Sequence, residues 1–145
     1  MKLAVGLGLA MIMGFASCSR KAEPPAAVVS PPETKLPASC REVTPDEAEA
    51  LMKAKPDLVI LDMRVETEWV EEGHLQGAQR TNFYRKELKE HLAGMDHAKP
   101  YLVYCAIGER SKQTAVQMGE LGFRELYVLA GGLNAWKAAG KPVSK

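Results

Sequence analysis

Residues Tyr101–Ser111, with the sequence YLVYCAIGERS, carry the strongest signal for both fold and chemistry in this chain. The apolar run Tyr101–Tyr104 is typical of a buried strand, and Ser111–Leu121 has the composition of a helix, so Cys105 lies in the turn between them. Backbone N–H groups converge at such a turn, and the helix dipole adds positive charge there. Both favour an anion such as a thiolate or a bound oxyanion. The segment therefore predicts a cysteine nucleophile at Cys105.

The chain beyond residue 40 alternates short apolar runs with helix-like segments. Leu58–Leu61 is a continuous apolar run, as in a parallel strand buried on both faces. A helix is predicted to begin at Pro45, because Thr44 is a favourable N-cap and proline suits the first helical position. The alternation predicts an α/β fold with a parallel sheet, whose ligands bind at the carboxyl ends of strands, where Cys105 and Asp62 lie. The other predicted strands are 41–43, 78–83 and 125–129, and the other predicted helices are 66–71, 84–92 and 133–139.

The amino terminus resembles a bacterial export signal. Lys2 precedes the uncharged apolar segment Leu3–Phe15, which is shorter than the about 20 residues needed to span a bilayer and fits a secretory signal. The sequence FASC that ends at Cys18 resembles a lipobox, which implies removal of residues 1–17 and acylation of Cys18. A simple secretory signal is the alternative. Because Ser19 is not an acidic retention signal, we expect a lipid-anchored protein facing the periplasm or cell surface, with the outer membrane favoured.

The composition separates a tether from a single domain. Residues 18–39 contain five prolines and little apolar bulk, which predicts an extended tether behind the lipidated cysteine. Residues 40–145 have the size of one domain with its own core. The chain carries 19 basic and 18 acidic side chains, a net charge of +1, so no nucleic-acid-binding surface is expected. Contact with the membrane is therefore expected through the N-terminal lipid.

The three cysteines are assigned different roles. Cys18 is assigned to lipid, while Cys40 and Cys105 could pair in an oxidising compartment. A stable bridge would remove the nucleophile, so no such bridge is expected. A transient role of Cys40 as a resolving thiol stays open. The sequence has no Cys-x2-Cys or His-x3-His spacing, so no metal site is predicted.

Three further motifs occur together and in order. They are LDMR at 61–64, followed by EW at 68–69 and GHLQGA at 73–78; CAIGERS at 105–111; and GGLNAW at 131–136, followed by AGKPV at 139–143. Together they resemble the single-domain rhodanese (sulfurtransferase) family in its exported, lipoprotein form, over essentially the whole of residues 40–145. The resemblance implies a five-stranded parallel sheet with helices on both faces. It also implies a sulfurtransferase that needs no cofactor.

The resemblance implies a two-step reaction at Cys105. The thiolate attacks the outer sulfur of a small sulfane donor, such as thiosulfate, polysulfide or a persulfide, and becomes a persulfide itself. A thiophilic acceptor, cyanide or another thiol, then removes that sulfur. Because exposed thiolates oxidise readily, an exported enzyme is also expected to need a thiol-reducing partner protein. The loop residues expected to bind the substrate are Ala106, Ile107, Gly108, Glu109, Arg110 and Ser111.

Charged residues around this loop are predicted to have supporting roles. Arg110 is predicted to tie the loop to a carboxylate, with Glu68 or Asp62 as candidates, and contact with an anionic substrate stays open. Asp62 and Arg64 are predicted to form a structural ion pair. Glu109 disfavours a dianionic donor such as thiosulfate. We therefore expect a less charged natural donor, such as a polysulfide or a persulfide.

Two other functions fit parts of the pattern. Phosphatases and arsenate reductases use a Cys-x5-Arg loop, whereas only four residues separate Cys105 from Arg110. That activity is therefore less favoured. A catalytically weak rhodanese module could instead act as a sulfur carrier or as a protein-binding domain. The presence of Cys105 in an intact loop favours catalysis over that alternative.

Overall fold

The computed structural model describes residues 33–145. The predicted signal peptide at 1–17, the lipidation site Cys18 and the tether as far as residue 32 lie outside the described residues, so these assignments stay predictions. Within residues 33–145, every helix is too short or too polar to cross a bilayer.

Five parallel strands form one sheet. They are β1 Cys40–Val43, β2 Val59–Asp62, β3 Gln79–Arg80, β4 Pro100–Tyr104 and β5 Glu125–Leu129. Their order across the sheet is β1-β5-β4-β2-β3, so β4 is central. All residues of β4 are buried, which explains its uninterrupted apolar sequence. Val103 pairs with Leu61 of β2 on one side and with Val128 of β5 on the other. The predicted five-stranded parallel sheet is confirmed.

Helices cover both faces of this sheet. They are α1 Pro45–Ala54, α2 Glu66–Glu72, α3 Leu88–Ala93, α4 Glu109–Glu120 and α5 Gly132–Ala138. Alternate residues of β4 point to opposite faces. Leu102 and Tyr104 therefore pack in a core with α1 and α5, whereas Tyr101 and Val103 pack in a second core with α3 and α4. The two cores confirm the predicted α/β architecture.

The third strand and the third helix differ from the predicted 78–83 and 84–92. A turn at Asn82 separates them. The side-chain oxygen of Asn82 accepts the N–H of Tyr84 at 2.9 Å, and the backbone carbonyl of Asn82 accepts the N–H of Arg85 at 3.1 Å. Asparagine side chains form such turns in competition with regular structure. As a result the strand is limited to 79–80, and α3 begins at Leu88 instead of Tyr84.

A buried ion pair joins the end of β2 to α2. Arg64 donates to the Asp62 carboxylate at 2.7 to 3.0 Å, and neither side chain is exposed. The other terminal donors of Arg64 reach the carbonyls of Glu68 at 3.3 Å and Gly73 at 2.6 Å. Its guanidinium also lies 5.8 Å from the centre of the Tyr104 ring. The ion pair proposed for the LDMR motif is therefore present, and it fixes α2 against the sheet.

The variant Asp62→Asn tests how much this pair contributes to stability, because it leaves the buried Arg64 charge with only the partly exposed Glu72 carboxylate, 3.6 Å away. Removing one partner of a buried pair costs about 3–5 kcal/mol, and we expect the free energy of unfolding in urea to fall by that amount. Glu66→Gln is the control, because Glu66 is 75% exposed and lies 3.8 Å from Arg80. Exposed pairs contribute about 0–1 kcal/mol. An equal decrease in the free energy of unfolding in the two variants would contradict the structural importance of Asp62.

Candidate active site

Cys105 follows β4 directly at the carboxyl edge of the sheet and is only 1% exposed. The N–H of Gly108 donates to Cys105 Sγ at 3.1 Å, and the Ser111 hydroxyl oxygen lies 3.7 Å from the same sulfur. That hydroxyl donates to the carbonyl of Gly108 at 2.7 Å and so closes the loop on itself. The Gly108 N–H therefore gives the sulfur one backbone donor that suits a thiolate, while the Ser111 proton is directed to Gly108.

Gly108 sets the start of α4, which begins at Glu109 and not at the predicted Ser111. Gly108 adopts the left-handed backbone, with φ of 109°, at the N-cap of the helix. The N–H groups of Glu109, Arg110 and Ser111 belong to the first helical turn, so they have no acceptor within the helix. The loop that holds Cys105 directly precedes this turn, at the positive end of the helix dipole. The first turn of α4 can therefore stabilise negative charge on sulfur.

The first turn of α5 holds the other side of the Cys105 loop. The N–H of Leu133 donates to the carbonyl of Cys105 at 2.8 Å, and the N–H of Asn134 donates to the carbonyl of Ala106 at 3.1 Å. This close approach requires glycine at 132, because its φ is 59° and a Cβ there would lie 2.7 Å from the carbonyl carbon and oxygen of Ala106. The GG pair of the third motif thus fixes the backbone around the sulfur.

Arg110 is tied to Glu68 and not to Asp62. Its two terminal nitrogens donate to the two carboxylate oxygens of Glu68 at 2.8 and 2.6 Å, and the side chains are 18% and 23% exposed. Glu68 also accepts the N–H of Val65 at 3.1 Å, which fixes it at the start of α2. The hydrogen bonds from Arg110 hold the pKa of Glu68 below its ordinary value, and Glu68 raises the pKa of Arg110. Asp62 is already bound by Arg64.

The outer part of the loop is apolar and acidic. Ile107 is 61% exposed, and Glu109 is exposed at the start of α4. Ala106 is partly buried, and its carbonyl accepts the N–H of Asn134 in the first turn of α5. All six residues predicted to bind the substrate therefore lie in the loop around the sulfur, but only Ile107 and Glu109 project into solvent.

Tyr84 borders the loop, although the sequence pattern predicts that it lies in a helix and does not predict its place at the site. Its side chain is 67% exposed, and the Arg110 guanidinium carbon lies 5.9 Å from the centre of its ring. The ring of Phe83 packs edge-on against it, with 5.3 Å between the ring centres. The sequence feature that indicates a turn at this point is Asn82, whose side-chain oxygen accepts the N–H of Tyr84.

The two cysteines within residues 33–145 are free thiols, and no group of three or more His, Cys, Asp or Glu in this range could hold a metal ion. Cys40 begins β1, whereas Cys105 follows the last residue of β4, so the parallel strands place them at opposite ends of the sheet. Burial, with a smaller contribution from Glu42, raises the pKa of the Cys40 thiol to about 11. This fold therefore gives no support to Cys40 as a resolving thiol.

Comparison with known proteins assigns this fold and loop to a family. The family model for the rhodanese-like domain matches residues 44–139, and the chain belongs to that family. The thiosulfate sulfurtransferase GlpE of Coxiella burnetii is 38% identical over 98 residues, which are 68% of this chain and 88% of that protein. A crystal structure of a rhodanese-related protein from Thermoplasma volcanium is 25% identical, with a TM-score of 0.62, and covers 71% of this chain and 96% of that chain.

A further solved structure carries sulfur transfer in its name. The polysulfide-sulfur transferase homodimer from Wolinella succinogenes is 28% identical, with a TM-score of 0.61, over 73% of this chain and 79% of that chain. Together with the family model and the curated relative, it supports sulfur transfer as the activity at the level of the family. The predicted rhodanese resemblance is confirmed, while the lipoprotein form stays a prediction.

The variant Glu68→Gln tests the tie between α2 and the loop. Charge-assisted hydrogen bonds contribute about 1.5–3 kcal/mol, and we expect the free energy of unfolding to fall by up to that amount at neutral pH. The folded-state pKa of Glu68 is lowered, so the contribution is present above the ordinary glutamate pKa and is lost as pH falls through the folded-state value. Urea unfolding should therefore show the difference from wild type shrinking towards acid pH. Glu71→Gln, on the exposed side of the same helix, is the control, and a pH-independent loss in Glu68→Gln would refute the assignment.

Proposed function

We propose that this protein is a sulfurtransferase that moves sulfane sulfur through a persulfide on Cys105. The Cys105 thiolate attacks the outer sulfur of a donor R–S–SH, a new S–S bond forms on Cys105, and R–S⁻ leaves with the electron pair of the broken S–S bond. A cyanide or thiolate acceptor then attacks the outer sulfur and releases Cys105 as a thiolate. The observation that carries the proposal is the N–H of Gly108, 3.1 Å from Sγ, in a loop held on both sides.

The geometry of the loop supports sulfur chemistry over its alternatives. Phosphate or arsenate chemistry would need a positive charge on Arg110 for a tetrahedral oxyanion, but Glu68 neutralises that charge through two hydrogen bonds. The four-residue spacing between Cys105 and Arg110 is also one short of the Cys-x5-Arg loop. A sulfur carrier or protein-binding module would need the same cysteine but would not turn over, so steady-state kinetics separates it from an enzyme.

We also propose that the reaction takes place outside the cytoplasm, on a protein anchored by lipid on Cys18. The proposal rests on the signal-like residues 1–17 and on the lipobox-like FASC sequence. An exported Cys105 would then depend on a thiol-reducing partner protein. Incorporation of labelled fatty acid into wild type, and its loss in Cys18→Ser, is the expected result. Equal labelling of both proteins, or none in wild type, would contradict the anchor.

The central prediction concerns the mass of the full chain after incubation with thiosulfate, polysulfide or a hydropersulfide. We expect a gain of one sulfur atom that cyanide or dithiothreitol removes, because both agents accept sulfane sulfur. Cys105→Ser should gain nothing, whereas the matched variant Cys40→Ser should behave as wild type, since Cys40 lies at the other end of the sheet. The absence of an adduct with every donor, on protein with a free Cys105 thiol, would refute the proposed function.

A second prediction concerns the charge of the donor. Glu109 is exposed at the loop, and the Arg110 charge is neutralised by Glu68, so thiosulfate meets a net negative charge. We expect Glu109→Gln to lower the KM for thiosulfate about twofold to fivefold at low salt, as for a charge pair in a solvated setting, with the effect fading at high salt. Glu120→Gln, exposed near the far end of α4, is the control. An unchanged KM in Glu109→Gln would count against a less charged donor.

A further inference from the structure

Two of the exposed apolar side chains border the Cys105 loop. Among residues 33–145, the large apolar side chains with high exposure are Val70 at 64%, Tyr84 at 67% and Ile107 at 61%. Ile107 lies in the loop itself, and Tyr84 lies beside Arg110 of the same loop. Cys105 itself is almost completely buried, so the exposed surface beside it comes from neighbouring side chains such as these.

The position of Tyr84 is fixed by the fold. The Asn82 side chain accepts its N–H at 2.9 Å, and Phe83 packs edge-on against its ring. Phe83 in turn packs against the core that contains Cys105 and α3, and its N–H donates to the carbonyl of Met63 at 3.1 Å. The exposed ring is thus presented by an anchored turn, which costs little conformational entropy when a ligand binds.

Within the Cys105 loop, the one cationic side chain, Arg110, is already paired, while the exposed Arg85 and Lys86 directly follow Tyr84 in the chain. The charges of Arg110 and Glu68 neutralise each other in a bidentate ion pair, and Glu109 adds one exposed negative charge. The remaining exposed surface, from Tyr84 and Ile107, offers contact to hydrocarbon groups. Apolar contact is therefore an attraction that Tyr84 and Ile107 can supply to the body of a donor.

We propose that Tyr84 and Ile107 form an apolar wall that binds the organic group R of a hydropersulfide, R–S–SH, beside Cys105. The inference rests on the proposed function and names the class of donor, an organic hydropersulfide with an uncharged hydrocarbon group. The step is balanced: the Cys105 thiolate and R–S–SH give the Cys105 persulfide and R–S⁻, with the proton kept on the transferred sulfur. The wall holds R while the outer sulfur meets Sγ.

The test compares two hydropersulfides with similar leaving groups on the full chain. Benzyl hydropersulfide carries an apolar group, and 2-sulfonatoethyl hydropersulfide carries an anionic one. We expect wild type to prefer the benzyl donor by at least about tenfold in kcat/KM. Tyr84→Ala should bring the two donors close to equal, mainly by raising the KM for the benzyl donor, and Tyr84→Phe should restore the preference. Val70→Ala is the matched control, because Val70 is equally exposed but lies on α2, and it should keep the wild-type preference.

The outcomes separate this inference from the proposed function. Equal kcat/KM for the two donors in wild type, or an equal loss for both in Tyr84→Ala, would overturn the apolar wall while leaving sulfur transfer intact. If no donor transfers sulfur to Cys105, the proposed function fails, and the apolar wall is then tested by the binding of an unreactive ligand. Ligand-observed NMR of Cys105→Ser with the inert analogue benzyl methyl sulfide should show contact that disappears when Tyr84→Ala is added. An unchanged signal in that double variant would overturn the wall.

Discussion

The buried ion pair between Asp62 and Arg64 is the interaction on which the rest of the site depends. Both charges are fully excluded from solvent, and Asp62 is the closest carboxylate to Arg64, at 2.7 Å against 3.6 Å for the partly exposed Glu72. Arg64 also binds the carbonyls of Glu68 and Gly73, which places α2 relative to the end of β2. Glu68, which lies on that helix, binds Arg110 in the Cys105 loop. The position of the loop is thus determined from the sheet, through α2, by a chain of charged contacts.

The loop meets a second constraint on its other side, where glycine at 132 lets the backbone approach the carbonyl of Ala106. Because both sides are fixed, the Gly108 N–H and the first turn of α4 are oriented before any sulfur arrives, and little reorganisation is needed as charge moves onto or off the sulfur. On our proposal, backbone groups of this kind support sulfur transfer at Cys105. The exposed side chains around the loop differ in role, since on our proposal they select the donor.

Several features follow from the sequence because they depend on local pattern. The apolar residues of β4 allow one outcome, a strand buried on both faces, and a cysteine followed by a glycine at a strand-to-helix junction marks the loop. The alternation of strands and helices gave the α/β class, and three ordered motifs gave the family. The pairing of Asp62 with Arg64 could be predicted because only one residue separates them at the end of a strand.

Other features needed the tertiary structure. Arg110 and Glu68 are 42 positions apart, and Asp62 was an equal candidate until the fold showed that Arg64 occupies it. The place of Tyr84 beside the loop depended on a side-chain turn that overrode a helical pattern. The sequence by itself determined the architecture and the family, and it placed the proposed nucleophile Cys105 in a strand-to-helix turn, because these features depend on short-range patterns. Only the fold decided which side chains surround the sulfur, because loops that are distant in the chain meet at one edge of a parallel sheet.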